Sequence, residues 1–283
     1  MKQLFRDPEK QKILDKEGWL SLPFLNSPEL QSVTKLFEEF HPDGKAPQMR
    51  DGIHMTIWCS DFRYKTKIRD HLKEILFPAA SRLLREFRIL SPVFIAKEKG
   101  LQTKFPVHQD WSVVDESKHT AFNIWIPLHN TNFANGGLWV VPGSHLLPTP
   151  VRGPGFLFPK FYEFESMLRP GISPIDLNSG EAIIFYHRLL HGSPPNQTDS
   201  LRLAVSFTAI PLGIPLHIYF QKDASSALEV YHPDDDFIYQ FENVRDETSF
   251  HPPQGKPAEL KAPYQPVNLT AELLSSFIPK TAV

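Results

Sequence analysis

The sequence predicts a mainly β protein, a sandwich or a barrel, with helices at its N-terminal end. At least six short apolar runs with turn signals between them follow residue 90, a pattern typical of such folds. The chain has 27 Pro, 22 Phe and only 14 Gly among 283 residues, which indicates short strands joined by long ordered loops. Hydrophobic residues make up 41% of the chain, enough to fill a large core, and we expect one domain spanning 1–283.

Residues 1–90 are predicted to be largely helical and to pack on the outside of the sheet. Asp7 followed by Pro8 is a helix-start signal, because Asp caps the free N–H groups and Pro fits the first helical position. Ser27 is predicted to cap a second helix in the same way. A third helix is expected to begin near Phe62, from the helical spacing of its apolar residues.

Residues 91–220 are predicted to form the β core, and residues 221–283 a C-terminal segment that packs on it. The strands of the core are expected at 93–97, 103–110, 121–128, 138–141, 182–186, 201–210 and 216–220. Residues 147–175 are rich in Pro and Gly, and a long ordered loop of this kind is typical of a lid or a binding loop.

Charge and cysteine content restrict the class of protein. The formal net charge is −2, so nothing favours binding to nucleic acid or to an anionic membrane surface. Cys59 is the single cysteine, which excludes a disulfide framework and favours a reducing compartment. No apolar run resembles a signal peptide or a membrane helix. We therefore expect a cytoplasmic monomer or homodimer.

His108 and Asp110 form the most informative motif. Side chains two residues apart in a strand point to the same face, so an imidazole and a carboxylate can bind one cation side by side. His191 follows the predicted strand at 182–186 and supplies a third ligand. Two His and one carboxylate with open positions are characteristic of non-haem Fe(II) oxygenases. His187 is the main competitor of His191, and we prefer His191 because Gly192 after it permits a close backbone approach.

Arg202 lies inside a predicted strand, where a permanently charged guanidinium is costly without an anionic partner. A dicarboxylate cosubstrate is such a partner, since Arg binds a carboxylate through two parallel hydrogen bonds. Two other classes of protein stay open on this evidence. One is a non-catalytic jelly-roll module that binds a metal or ligand, and the other is a cupin enzyme that does not use 2-oxoglutarate.

Three separated motifs resemble the phytanoyl-CoA dioxygenase family. They are His108-Gln109-Asp110, then Asn135-Gly136-Gly137-Leu138-Trp139-Val140-Val141-Pro142-Gly143-Ser144-His145, then Gly180 to His187 continuing through His191-Gly192-Ser193, Asn196 and Arg202. The similarity covers roughly residues 90 to 210. It implies a double-stranded β-helix core, which is a jelly-roll of the cupin type, and it implies Fe(II), 2-oxoglutarate and O₂ as cofactors.

The resemblance also implies roles for individual residues. His108, Asp110 and His191 would bind iron. Arg202 would bind the distal carboxylate of 2-oxoglutarate with help from Ser193. Three further residues would line the cosubstrate pocket: Asn123, Trp125 and Phe105.

The expected reaction is hydroxylation of an unactivated C–H bond, with release of succinate and CO₂. Asp110 favours hydroxylation, because the halogenases of this wider group have a small residue in place of that carboxylate. A small metabolite, an amino acid or a carrier-bound acyl group is the expected substrate. Trp111, Asp115, Arg152 and Phe156 are the candidate substrate contacts.

Overall fold

The computed structural model describes residues 4–240 and 251–277. The predicted segments 1–90 and 221–283 therefore each include residues outside the described part of the chain. The α-helices in the described residues are α1 (Pro8–Glu17), α2 (Ser27–Phe40), α3 (Phe62–Leu83), α4 (Glu165–Leu168) and α5 (Ala271–Ser275). None of these helices is both long and apolar enough to cross a membrane.

The described strands form three antiparallel sheets. The strands are β1 (Trp19–Pro23), β2 (Ile53–Met55), β3 (Phe87–Lys97), β4 (Phe105–His108), β5 (Phe122–Pro127), β6 (Trp139–Val140), β7 (Ser173–Pro174), β8 (Glu181–Tyr186), β9 (His191–Ser193), β10 (Arg202–Pro211), β11 (Ile218–Phe220), β12 (Leu228–Tyr231) and β13 (Glu259–Lys261). Their order is β1-β8-β5-β10-β3-β2 in the largest sheet, β4-β9-β6-β7 in the second and β11-β12-β13 in the third. The predicted mainly β fold with helices outside is confirmed.

The six-stranded sheet has one face towards the helices and one towards the smaller sheets. On β5, Phe122 and Ile124 belong to the core that also contains Leu14 of α1, Val33 of α2 and Leu72 of α3. Successive side chains of a strand point to opposite faces, so the residues between them face the interior. The long amphipathic helices thus protect the outer face of the sheet from water.

A cavity opens between the six-stranded and four-stranded sheets. Its apolar wall includes Trp125 and Phe185 from the large sheet. The four-stranded sheet contributes β4 and β9, which pair in antiparallel register with His108 opposite His191. The fold therefore places two of the predicted ligands on neighbouring strands that face this cavity.

Two local predictions differ from the structure. Asn26, and not Ser27, caps α2: its side chain accepts from the Glu29 N–H, while the Glu29 carboxylate accepts from the Asn26 N–H. The strand predicted at 103–110 ends at His108, so Asp110 lies in the loop after it. The direction of the Asp110 side chain is consequently set by loop contacts and not by strand alternation.

Candidate metal centre

A compact group beside the paired strands β4 and β9 consists of His108, Asp110 and His191. One potential ligand atom from each residue lies within 4.8 Å of the other two. Nε2 of His108 is 3.8 Å from Oδ1 of Asp110, and Nε2 of His191 is 3.7 Å from Oδ2. The structure thus brings together three residues that are separated by up to 83 positions in the sequence.

Both imidazoles are held in the tautomer that a metal needs. Nδ1 of His108 lies 2.9 Å from the Pro106 carbonyl oxygen, and Nδ1 of His191 lies 3.0 Å from that of Leu189. A carbonyl oxygen can only accept, so each Nδ1 must carry the proton. When the ring is neutral, each Nε2 then carries the lone pair that a metal would accept, as in metal sites where the far nitrogen is fixed by the backbone.

Asp110 is oriented by a chain of hydrogen bonds from the large sheet. Asn123 donates from Nδ2 to Oδ2 of Asp110 at 2.6 Å, and the Thr208 hydroxyl donates to Oδ1 of Asn123 at 2.8 Å. Burial acts to raise the pKa of the Asp110 carboxyl, but the surrounding imidazoles, His191 first, outweigh it and the pKa is lowered. The carboxylate is therefore ionised, as a metal ligand must be.

His187 is placed apart from this group. Its Nδ1 is 3.0 Å from the Trp111 carbonyl oxygen and its Nε2 is 3.1 Å from the Thr208 hydroxyl. Burial lowers the pKa of His187, and both of its ring nitrogens are within hydrogen-bond distance of these partners. The structure thus places the ring nitrogens of His187 on Trp111 and Thr208, and the compact group contains His191 instead.

Gly192 allows strand β9 to lie close to Trp139 and to the backbone of β4. A Cβ atom on Gly192 would lie 2.5 Å from Cζ2 of Trp139 and 2.8 Å from the Phe105 carbonyl oxygen. Both contacts are shorter than real Cβ contacts, and the second is with rigid backbone. A side chain here would push β9 away from β4 and separate His191 from His108.

Arg202 is a buried cation at the cavity wall. Only 2% of the residue is exposed, and its Nε and Nη1 have no hydrogen-bond partner among the described residues. The guanidinium lies 5.3 Å from the centre of the Trp125 ring, which stabilises the cation only in part. Burial lowers the pKa of Arg202 to about 10, which still leaves it charged at neutral pH. Such a group requires an anion.

Lys97 is a second buried cation beside Arg202, and the sequence analysis missed it. The two residues are directly opposite each other on β3 and β10. Lys97 donates to the Ser193 hydroxyl at 2.6 Å and to the Pro194 carbonyl at 2.9 Å. A lysine at the end of the apolar run 93–96 was a usable signal, because cations are rarely buried without a function or a partner.

The cavity has a volume of about 590 Å³ and includes the metal-ligand group. Six more of the predicted site residues line it: Phe105, Trp111, Asn123, Trp125, Ser193 and Arg202. Asn123 and Trp125 share one face of β5, as their spacing predicted. The Asn123 amide, however, donates to Asp110, so it holds that carboxylate in place.

Three predicted substrate contacts lie away from the cavity lining. Arg152 is fully buried and forms an ion pair with Glu116, with Nη2 2.5 Å from Oε1, so it cannot reach a substrate. Asp115 accepts instead from Lys118 and from the Ser117 hydroxyl near the surface. Phe156 packs against an apolar cluster that includes Tyr219 and Val230 of the three-stranded sheet. The insertion 147–175 lines the cavity through other residues: Pro154, Gly155, Phe158 and Tyr162.

Sequence comparison connects this geometry to known proteins. A family model described as "Phytanoyl-CoA dioxygenase (PhyH)" matches residues 3–204. "Phytanoyl-CoA dioxygenase" of Arabidopsis thaliana is 26% identical over 195 residues, which are 64% of this chain and 66% of that protein. "Phytanoyl-CoA dioxygenase domain-containing protein 1" of Danio rerio is 23% identical over 145 residues, 46% of this chain and 49% of that protein. The matched stretch thus spans between about half and two thirds of these relatives.

Solved structures share the fold at low sequence identity. HygX from Streptomyces hygroscopicus, with nickel and 2-oxoglutarate bound, has a TM-score of 0.53 and 16% identity, and the match covers 72% of this chain and 87% of HygX. The epimerase SnoN, in complex with Fe³⁺, alpha ketoglutarate and nogalamycin RO, has a TM-score of 0.55 and 18% identity, with 92% and 97% covered. At these identities the likeness concerns the fold.

Proposed function

Because this chain belongs to the phytanoyl-CoA dioxygenase family, we propose that it is an Fe(II)- and 2-oxoglutarate-dependent dioxygenase that hydroxylates a C–H bond. The observation that carries the proposal is the position of Arg202, a buried guanidinium with two unpartnered nitrogens beside a His–Asp–His group in one cavity. A module that only binds a metal, or a cupin enzyme without 2-oxoglutarate, has no use for such a cation. Both alternatives leave its burial uncompensated.

The donor set fits ferrous iron. His108, Asp110 and His191 would hold it through two Nε2 atoms and one carboxylate oxygen, which leaves positions open for other ligands. When bound, iron and 2-oxoglutarate supply, with O₂, the oxidation of a C–H bond to C–OH, with release of succinate and CO₂. The protein's own task is to bind, orient and shield these components.

Arg202 supports the cosubstrate assignment through its charge and its setting. A distal carboxylate bound there would accept hydrogen bonds from nitrogens that otherwise have no partner among the described residues. Ser193 lines the same wall and accepts from Lys97, so its hydroxyl proton is available to donate to the same carboxylate. Trp125 covers the guanidinium face and keeps water from it.

The rest of the cavity favours a substrate whose reacting part is uncharged. Apart from the histidines, Asp110 and Arg202 are the charged residues among the described residues that line it. Both are committed to the metal and the cosubstrate. Much of the remaining wall is apolar, with contributions from Ile53, Met55, Trp58, Ile95, Val113, Leu138, Ile218 and Ile238.

A free amino acid would lose the hydration of two charges in this cavity without gaining partners. We therefore favour a small metabolite with an apolar reacting segment, or an acyl chain whose carrier stays outside. Trp111 remains the proposed contact from the sequence analysis, and Phe158 and Tyr162 of the insertion join it. The insertion would act as a lid that limits access of water to the reacting atoms.

The cosubstrate assignment is tested by adding 2-oxoglutarate to the Fe(II)-loaded protein without oxygen and recording the visible spectrum. We expect a new absorption band in the wild type. Arg202→Gln should raise the 2-oxoglutarate concentration for half-saturation on the order of 10- to 100-fold, the loss expected for a charge-assisted hydrogen bond. Arg169→Gln, on the exposed part of the insertion, is the matched control. No band in the wild type would contradict the proposal.

Turnover provides the second test. With oxygen, iron and 2-oxoglutarate, succinate formation should rise on addition of neutral apolar compounds from a substrate library. Asp110→Ala should abolish it, while His187→Ala should keep iron binding and part of the turnover. Mass spectrometry of the product distinguishes hydroxylation, a gain of one oxygen atom, from desaturation or ring closure.

A further inference from the structure

A second group of potential metal ligands lies at one end of the three-stranded sheet. It consists of His217, His232 and Glu259, and one ligand atom from each lies within 4.8 Å of the others. These residues are separate from the group at His108 and come from three different strands or strand ends.

The strand register explains why the three side chains meet. Ile218 pairs with Tyr231, so the next pair outward is His217 opposite His232. Glu259 pairs with Val230, two residues before His232 and therefore on the same face. The stacking of His217 on Tyr219, at 5.7 Å between ring centres, is consistent with this common face.

The atoms are arranged around a gap. Nε2 of His232 lies 3.9 Å from Oε1 of Glu259, beyond hydrogen-bond distance, while Oε2 of Glu259 is 3.1 Å from Nζ of Lys261. One carboxylate oxygen thus faces the histidines and the other faces the lysine. The rings of His217 and His232 meet edge to face with centres 4.4 Å apart.

His217 adds an independent sign of a missing ligand. The residue is 6% exposed, and its Nδ1 is buried without a hydrogen-bond partner among the described residues. Buried polar atoms nearly always have a partner, and a site for a metal ion is one of the recognised reasons for an exception.

We propose that His217, His232 and Glu259 bind a divalent cation of the Zn²⁺ class, with water as the fourth ligand. Two imidazoles and one carboxylate are a known donor set for tetrahedral zinc. Bonds of about 2.0–2.2 Å require ligand atoms about 3.4 Å apart, so the group has to contract slightly. His232 and Glu259 are both exposed and can rotate to do so.

The cation would act on the wall of the catalytic cavity. It ties β13, from the C-terminal segment, to the start of β11 through His217. The next residue, Ile218, points to the opposite face and lines the cavity. A bound cation would therefore stiffen a strand that shapes the substrate space, without contact with the reacting atoms.

The test separates this site from the first one. In the variant His108→Ala/Asp110→Ala the first group cannot bind a metal, and Zn²⁺ titration by calorimetry then reports the second group. We expect one Zn²⁺ per chain. Adding His232→Ala should weaken binding at least about tenfold, since even loss of an outer contact to a metal ligand costs roughly 10- to 100-fold.

Two further variants complete the test. Glu259→Gln should weaken Zn²⁺ binding in the same direction, and His71→Ala, an exposed histidine on α3, should leave it unchanged. Zn²⁺ should also raise the melting temperature of the His108→Ala/Asp110→Ala protein but not that of its His232→Ala derivative. Absence of Zn²⁺ binding in the double variant, or binding that His232→Ala leaves intact, overturns the proposal. Neither outcome bears on the dioxygenase assignment.

Discussion

Asn123 shows how one side chain can fix the orientation of a carboxylate in the candidate metal centre. Its amide holds Oδ2 of Asp110 at 2.6 Å and is itself held by Thr208. Asp110 lies in a loop after β4, so without this bond its carboxylate has several rotamers to choose from. The bond therefore provides preorganisation that the loop backbone alone does not.

Replacing Asn123 by Ala should weaken Fe(II) binding roughly 10- to 100-fold, the effect typical of lost outer contacts to metal ligands. The dissociation constant can be measured by anaerobic titration with Fe(II) or Mn(II). Asn268→Ala, on the exposed C-terminal segment, is the control and should bind as the wild type does. Equal affinities in all three proteins would show that Asp110 is oriented by other contacts.

At the scale of single residues, the sequence predicted that His108, Asp110 and His191 lie together and that Arg202 is buried, because each motif departs from its surroundings: a His–X–Asp pair after a strand, and a charge inside one. Asn123 was predicted to line the cosubstrate pocket, and its bond to Asp110 was missed. That bond depends on the pairing of Asn123 with Thr208 across β5 and β10, which is long-range information. Arg152 was misassigned for the same reason, since its partner Glu116 lies 36 residues away.

The Arg152–Glu116 pair joins the insertion to the loop after β4. Arg152 is fully buried, donates from Nε to the Asp110 carbonyl at 2.7 Å and donates from Nη1 to the Thr149 carbonyl. These bonds place the beginning of the insertion directly against the loop that carries Asp110. The pair therefore has a structural function close to the candidate metal centre.

Glu116→Ala should lower the free energy of unfolding by about 3–5 kcal/mol, because it leaves a buried guanidinium without its counter-charge. The double variant Glu116→Leu/Arg152→Met should cost less than the single one, since it removes both charges. Asp199→Ala, which breaks an exposed pair with Lys99, serves as control and should cost about 0–1 kcal/mol. Urea denaturation followed by fluorescence measures all three, and a milder effect of Glu116→Ala than of Asp199→Ala would refute the argument.

A histidine–tyrosine cluster connects the N-terminal helices to the sheet. His54 of β2 bonds through Nδ1 to the Pro47 carbonyl, and Tyr64 of α3 lies between His54 and His41 with distances of 3.3 and 2.7 Å. Burial lowers the pKa of His54 from 6.5 to about 4. The unfolded chain thus takes up a proton at a higher pH than the folded one.

The sign of the pH effect follows from that difference. Above about pH 6.5 the protonation of His54 makes no contribution to the pH dependence of stability. As the pH drops from 6.5 towards 4, the unfolded chain takes up a proton at His54 first, and the free energy of unfolding falls by about 3 kcal/mol. His54→Gln, which cannot titrate, should therefore flatten the pH dependence of unfolding in this range. His71→Gln on the surface of α3 should not. A slope unchanged by His54→Gln would exclude His54 as the group responsible.

At the scale of the whole molecule, the main core strands were predictable, but β7, β9, β12, β13 and the order of the strands were not. The alternation and apolar runs identified β5, β8 and β10 from local sequence. The order β1-β8-β5-β10-β3-β2 joins strands up to about 160 residues apart, and no local pattern encodes such pairings. The N-terminal third also supplies both edge strands, β1 and β2, so it extends the main sheet as well as covering it.

This architecture couples ligand binding to global stability, because the ligand groups come from both layers of the fold. His108 and His191 belong to the smaller sheet, Arg202 to the larger one, and a metal with its cosubstrate would bridge them. Binding at 100 times the dissociation constant adds about 2.7 kcal/mol to the free energy of unfolding. For a protein of this size, that corresponds to a rise in melting temperature of roughly 4–5 °C.

We expect Mn(II), used in place of Fe(II) to avoid oxidation, to raise the melting temperature on its own, and 2-oxoglutarate to raise it further only when the metal is present. The order follows from the chemistry: the keto acid needs the metal for one end and Arg202 for the other. Arg202→Gln should keep the metal-dependent rise and lose most of the second one, whereas Asp110→Ala should lose both. If 2-oxoglutarate stabilises Asp110→Ala as strongly as the wild type, the cosubstrate binds without the metal, and the bridge between the two sheets is not the source of the effect.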